Sequence, residues 1–214
     1  MGAFQDKVQD MVGSTYSVTT EDELFEAAVH EIADILPTEF LLKNVTTPIN
    51  ITTSAGTDVK ESKVLFVERG SVPADLIEYS EFLIHTGFSG SIYELETNSW
   101  PAYYVEPTGD GTAMLKVLPT PTVAASANVY IYSYPTSLDL SSDNTISNFP
   151  TRAYQAVVYK TALLILGTLI KDASVNEEDP ELLAMYQQQK VSLEEAYTKE
   201  LMTLGGMEEP GSAE

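Results

Sequence analysis

Residues 152–171 set the tightest constraint on how this chain can fold. Between Arg152 and Lys171 almost every side chain is apolar or small, and Val157, Ala162, Leu163, Ile165, Leu166 and Ile170 fall on all sides of a helix. A helix without a polar face has to be covered on most sides. Phe149-Pro150-Thr151 supplies its start, since proline suits the first helical turn. A chain of 214 residues has room for one domain of ordinary core size, or for one domain carrying an insertion. Covering such a helix within so small a chain is difficult, so the sequence points to neighbouring subunits as part of the cover. The most apolar run, Ala162–Ile170, is too short to span a bilayer.

The rest of the chain divides around this helix. Phe4, Val8 and Met11 follow helical spacing until Gly13-Ser14. Thr20-x-x-Glu23 has the spelling of a capping box, and Glu21, Asp22 and Glu23 favour a helix N-terminus. Leu24, Phe25, Ala28, Ile32, Ile35 and Leu36 then form one apolar stripe that ends at Pro37, which predicts a helix over 21–36. From Val45 to Tyr134 the composition changes to Thr, Val, Ile, Tyr and Ser punctuated by Gly and Pro, which is strand-and-turn chemistry. Strands are expected at Lys63–Arg69, Ser91–Leu95, Ala102–Val105, Met114–Leu118 and Ala127–Tyr134. The turn Pro107-Thr-Gly-Asp-Gly111 joins the third and fourth as a hairpin. Tyr130, Tyr132 and Tyr134 share one strand face. Asp75–Phe82 reads either as a short helix or as an irregular crossing. Asp179-Pro180 opens a last helix, kept in phase by Leu182, Tyr186, Leu193, Tyr197 and Leu201 to about Leu204, and ended by Gly205-Gly206.

The fold class expected is therefore α+β: a helical core of one N-terminal and two C-terminal long helices, with an inserted antiparallel β-domain. The expected divisions are 1–44 for the N-terminal part of the core, 45–135 for the β-rich insertion, 136–206 for the C-terminal part of the core, and 207–214 for a flexible acidic tail.

Composition narrows the functional classes. The chain has 32 acidic side chains against 11 basic ones and a formal net charge of −21. A protein that grips nucleic acid through phosphates needs a basic footprint, and this one has the reverse. With no cysteine there is no disulfide framework, thiolate metal site or Cys nucleophile. With 43% hydrophobic and 20% charged residues, the chain is a folded protein and not an acidic disordered one. Met1–Val12 lacks the basic start and apolar block of a signal peptide, so a soluble protein without classical export is expected.

Motifs of chemistry are weak. His30 has Glu26 and Asp34 at i−4 and i+4 on one helix, an imaginable metal set, but a solvated acidic face is the plainer explanation. His85 stands alone in what reads as a β or loop region. Gly87-Phe-Ser-Gly-Ser91 departs from the G-x-S-x-G elbow of hydrolases. Asp139, Ser141 and Asp143 alternate like a cation loop but lack the remaining ligands of an EF-hand. Sheet packing explains the tyrosines better than a stacking face. No catalytic residue, metal ligand or cofactor is assigned, and no enzyme is expected.

Residues 100–172 carry an ordered pattern. Trp100-Pro-Ala-Tyr-Tyr-Val105 leads to the Gly-Asp-Gly turn and Leu115-Lys-Val-Leu-Pro-Thr-Pro121. A strand then closes in Tyr134-Pro135, an acidic loop follows, and Phe149-Pro-Thr-Arg-Ala-Tyr154 opens the aliphatic helix. This resembles the head-to-tail adaptor (connector or neck) proteins of tailed bacteriophages, in which a v-x-P-x-P segment, a y-x-x-P strand end and a P-x-R/K-Y/F helix start recur in that order. The resemblance implies a structural virion protein, made in the host cytoplasm and placed at the neck. It implies a homo-oligomeric ring, commonly of twelve copies, bound beneath the portal protein. Such a ring completes the DNA-filled head and offers a platform to the next neck or tail protein. DNA would pass through or near it without specific binding, and no membrane partner is implied. By position, Tyr154, Val158, Leu163, Leu166 and Ile170 are candidates for the oligomer and core helix, and Tyr197, Leu201, Leu204 and Met207 for portal docking. The alternatives are a tail-completion or head-decoration protein of a phage and, in a different class, a β-rich carbohydrate-binding adhesin module using the tyrosines.

Overall fold

A computed structural model describes residues 4–13, 20–87, 100–109, 111–175 and 180–205, with backbone only for 84–87. The chain is α+β and divides into two compact units: Met1–Pro37 with Pro135–Glu214, and Thr38–Tyr134.

The first unit is helical. It contains α1 (Phe4–Val12), α2 (Glu21–Ile35), a 3-10 turn (Thr151–Ala153) running into α5 (Tyr154–Val175), and α6 (Pro180–Gly205). The buried face of α1 is Phe4, Val8 and Val12, so Val12 takes the place expected for Met11. α1, α2 and α6 all pack against α5. Val157, Ala162, Ile165 and Leu166 have no measurable exposure. The cover expected from other subunits is thus supplied by the chain itself along the first two-thirds of α5. The reason is geometric: three helices suffice to surround a fourth. Thr161, the buried polar side chain on that stretch, donates its hydroxyl to the Val157 carbonyl at 2.8 Å. Beyond Gly167 the cover thins, and Val175 is 71% exposed. With its 3-10 turn the helix runs from Thr151 to Val175 and is long and apolar enough, by length and composition, to cross a membrane. The apolar run read from sequence is therefore only part of a longer element, and its packing within the chain accounts for its composition.

The capping box does not form. Thr20 makes no side-chain cap bond. Two of the early acids on α2 turn instead to the loop after Pro135. Asp22 accepts from the Leu140 N–H at 2.8 Å and Glu26 from the Ser137 N–H at 2.8 Å. The same loop serves α1, whose first amides donate to the carbonyls of Leu140 and Asp143.

The second unit has α3 (Thr38–Leu42), strands β1 (Ile49–Ile51), β2 (Thr57–Asp58), β3 (Ser62–Arg69), β4 (Val72–Pro73) and β5 (Asp75–Leu76), then α4 (Tyr79–Gly87), β6 (Ala102–Pro107), β7 (Ala113–Leu118) and β8 (Ala127–Ser133). Two four-stranded sheets, ordered β1-β8-β3-β4 and β2-β7-β6-β5, enclose a core of Ile51, Val59, Val67, Leu115, Val117 and Val129. α3 packs on β3 and β8, and α4 on β6. The expected hairpin is present as β6–β7, with Ala102 opposite Leu118 and Pro107 opposite Ala113.

The antiparallel expectation needs correction, because β5 pairs parallel with β6. The chain leaves β4 in one sheet and enters β5 in the other across Ala74, and α4 lies in the crossover that returns it beside β5. A parallel pair requires such a connection. The ambiguous stretch 75–82 is thus a short strand followed by the start of a helix. His85 lies on that helix, not in a β or loop region. The expected strand Ser91–Leu95 and the Ser89 motif fall outside the described residues. Gly56 is fixed by the fold: its φ is +77°, and a Cβ there would lie 2.2 Å from the Leu115 carbonyl oxygen.

Candidate functional site

The start of α5 is an aromatic joint. Tyr154 packs edge-on against Phe4 at 5.2 Å between ring centroids and stacks near Phe149 at 6.2 Å, while Phe4 also meets Phe25 at 4.9 Å. The Tyr154 hydroxyl accepts the Ile146 N–H at 2.9 Å. One residue therefore ties α1, the acidic loop and α5 together. Of the other α5 candidates, Val158, Leu163 and Leu166 are buried within the unit, whereas Ile170 is half-buried on the less covered part of the helix.

α6 behaves differently. A half-buried stripe through Leu182, Tyr186, Leu193, Tyr197 and Leu201 runs along it, and among its 26 residues only Leu204 is fully buried. Arg152 donates to the Leu204 carbonyl at 3.4 Å, a cation at the C-terminal end of the helix where the dipole favours it. Tyr197 stands against α5 and α2. The Lys160 ammonium lies 5.8 Å from its ring centre and also binds Glu31 at 2.6 Å. Burial, and secondarily the Glu31 charge, push the Tyr197 phenol up to about 12. Its hydroxyl is enclosed without a hydrogen-bond partner among the described residues. Leu201 and Leu204 meet the end of α2 at an apolar groove of about 430 Å³ that includes Ile32, Ile35 and Leu36. Met207 lies outside the described residues.

Three of the groups singled out for chemistry, His30, Glu26 and Asp139, hold neighbouring segments by hydrogen bonds. The His30 Nε2–H donates to the Pro135 carbonyl at 2.8 Å, and Glu26 holds Ser137. No set of three or more His, Asp or Glu residues able to hold a metal occurs among the described residues. Asp139 closes its own loop: its Oδ1 accepts the Ser141 hydroxyl at 2.6 Å and the Ser141 and Ser142 amides at 2.8 and 3.1 Å. These donors, led by the Ser141 side chain, bring its carboxyl down to about 2.

In the β unit several aromatic side chains pack on one another, while Trp100 is 71% exposed. Phe82 stacks on Tyr104 at 4.0 Å, Phe66 faces Tyr130 across β3 and β8, and Tyr132 is fully buried. The Tyr79 hydroxyl donates to Glu106 at 3.1 Å, and Glu106 is paired with Lys116. Hydrogen bonds from Lys116 and Tyr79 lower the Glu106 pKa, and the bond to Glu106 raises those of Lys116 and Tyr79.

The chain thus combines a helical unit drawn from both ends of the sequence with a β unit inserted between Pro37 and Pro135. The family model for the SU10 adaptor protein matches residues 1–206. The chain belongs to the SU10 adaptor protein family. This is a family of phage head-to-tail adaptors, and the match runs through both units, from α1 to the end of α6. In this SU10 adaptor family chain the recurring motifs acquire physical content. Val117 and Pro121 of the v-x-P-x-P segment are buried, Tyr132 of the strand end is a core residue, Pro135 receives His30, and Tyr154 of the helix start is the aromatic joint. No curated protein matches the chain. The Glu31–Lys160–Tyr197 cluster escaped sequence reasoning, because 129 residues separate the first two partners and no local pattern marks the pair.

Proposed function

We propose that the protein is a non-enzymatic head-to-tail adaptor that forms a ring, commonly of twelve copies, beneath the phage portal. It closes the DNA-filled head and offers a platform to the next neck or tail component. The observation that carries this reading is the family match over residues 1–206. In this reading the α5 residues Tyr154, Val158, Leu163, Leu166 and Ile170 hold the ring-forming unit together, with the half-buried Ile170 and the exposed Val175 beyond it on the side open to a neighbour. Tyr197, Leu201, Leu204 and Met207 mark the end of the molecule that docks to the portal. The helical unit is assigned to lateral contacts and the β unit to the next component.

The net charge of −21 supports a passive role toward DNA. Multiplied around a ring, it repels phosphates and lets the duplex slide. The adhesin alternative loses its motive, since Tyr104, Tyr130 and Tyr132 are engaged in ring packing or buried inside the β unit. Co-sedimentation with purified portal rings tests the docking role. The full chain should pellet with them and a variant lacking 205–214 should not. Equal binding of the two would remove the tail from the docking surface, and no binding of the full chain would contradict portal attachment.

A further inference from the structure

The end of α2 and the end of α6 form an apolar groove of about 430 Å³, lined by Ile32, Ile35, Leu36, Leu201, Met202 and Leu204. Ile35 is 51% exposed and Met202 37% exposed, although both carry side chains that folding ordinarily covers. Thr198 and Met202 also belong to a shallower depression that continues up α6 past Val191, Glu194 and Glu195. The surface is therefore a strip: an apolar notch at one end and carboxylates seven residues back along the helix. At 1.5 Å per residue this is about 10 Å away.

Charge selects the occupant. Glu194 and Glu195 line the depression with Lys199 beside them, Lys190 lies 3.7 Å from Glu194, Asp34 adjoins Ile35 on α2, and the chain as a whole carries a net charge of −21. A second copy of this chain would bring the same acidic excess to the strip, which disfavours self-association there. We propose that this strip is the docking site for a cationic amphipathic helix of a protein partner. Its apolar anchors enter the Ile35–Met202 notch, and its basic side chains lie over Glu194, Glu195 and the acidic edge of α2. The strip shares Leu201 and Leu204 with the end assigned above to portal docking, but the inference rests on the geometry and charge of the helical unit, and the peptide experiment below decides it without portal or ring present.

The absence of cysteine makes the test direct. Thr198→Cys, on the exposed rim of the notch, is labelled with bimane in the full chain. The probe is a synthetic 18-residue helix with Leu at i, i+3, i+4 and i+7 and Lys elsewhere. Binding should shift the dye emission to the blue, weaken at least tenfold with Ile35→Glu in the same labelled chain, and stay unchanged with Met185→Glu, an exposed position on α6 outside the strip. A peptide with Glu in place of Lys should bind at least tenfold more weakly. Equal binding to the wild type and Ile35→Glu would overturn the site, and equal binding of the two peptides would overturn the charge selection. A concentration-dependent dimer abolished by Ile35→Glu would show that a second copy occupies the strip, which also overturns the proposal.

Discussion

The two units solve the problem of a core in opposite ways. The β unit is one continuous stretch, Thr38–Tyr134, whose small core of Val, Ile, Leu and Ala lies between two short sheets. The helical unit is assembled from both ends of the chain, and its centre is a single helix, α5, wrapped by three others. Inside that unit the contrast repeats: α5 buries nine residues and α6, the longer helix, one. A helix surrounded by its own chain contributes stability. A helix covered along one stripe keeps a surface for others. The surface by which this protein acts on a partner is therefore to be sought on α6 and on the less covered end of α5.

Substitutions that each touch one side of this contrast sharpen it. The largest effect is expected from Leu166→Asp, which places an unpaired carboxylate at a position with no exposure. A loss of about 4 kcal/mol or more is expected, seen as loss of the helical circular-dichroism transition. Met185→Asp on α6, at a site 45% exposed, should change stability by less than about 0.5 kcal/mol. Similar losses for the two would erase the difference between the helices.

Gly56→Ala probes the β unit alone. The side chain would meet the Leu115 carbonyl, and a cost of about 2–3 kcal/mol is expected from backbone strain. Hydrogen exchange should rise in β2 and β7 and stay as in the wild type in α5. Tyr154→Phe keeps the ring contacts but leaves the Ile146 amide without its acceptor, for about 1–2 kcal/mol. Urea unfolding measures that difference.

The smallest effect concerns Tyr197. Its phenol titrates near 12 in the folded chain against an ordinary 10.0. A raised value means that the folded state holds the proton more tightly. The associated stability is therefore fully present below pH 10 and is lost as pH rises toward 12. Tyr197→Phe should flatten the stability curve in that window and leave it unchanged at pH 7, as followed by ultraviolet difference spectra and thermal melts.

How much of this was legible in sequence depended on the range of the interaction. The α2, α5 and α6 patterns, the β6–β7 hairpin and the sheet role of the tyrosines are local periodicities or turn chemistry, and they could be read directly. The Thr20 capping box is equally local in spelling, but Thr20 has φ −120° and ψ 28° and makes no side-chain cap bond, a backbone geometry that local spelling cannot anticipate. α3 was missed because five residues after a proline carry too little periodicity. The parallel β5–β6 pair was missed because a two-residue strand leaves no alternation to detect. Ile35 is the instructive error. It continues the apolar stripe of α2 in sequence, yet it is 51% exposed, because the groove between the ends of α2 and α6 lies open there. For the docking candidates the sequence offered a run of residues at the end of α6, and two of them, Leu201 and Leu204, line a groove. It did not show that Tyr197 is tied to Lys160 and enclosed beside α5, while Leu201 lines the open notch.

The central claim is assembly on the portal, and mass tests it most directly. Native mass spectrometry of the 214-residue chain, alone and after mixing with purified portal rings, should show a new species whose mass is the portal ring plus a full ring of adaptor copies, commonly twelve. A mixture in which the portal mass is unchanged and the chain stays at its own mass of 23.4 kDa would contradict the account.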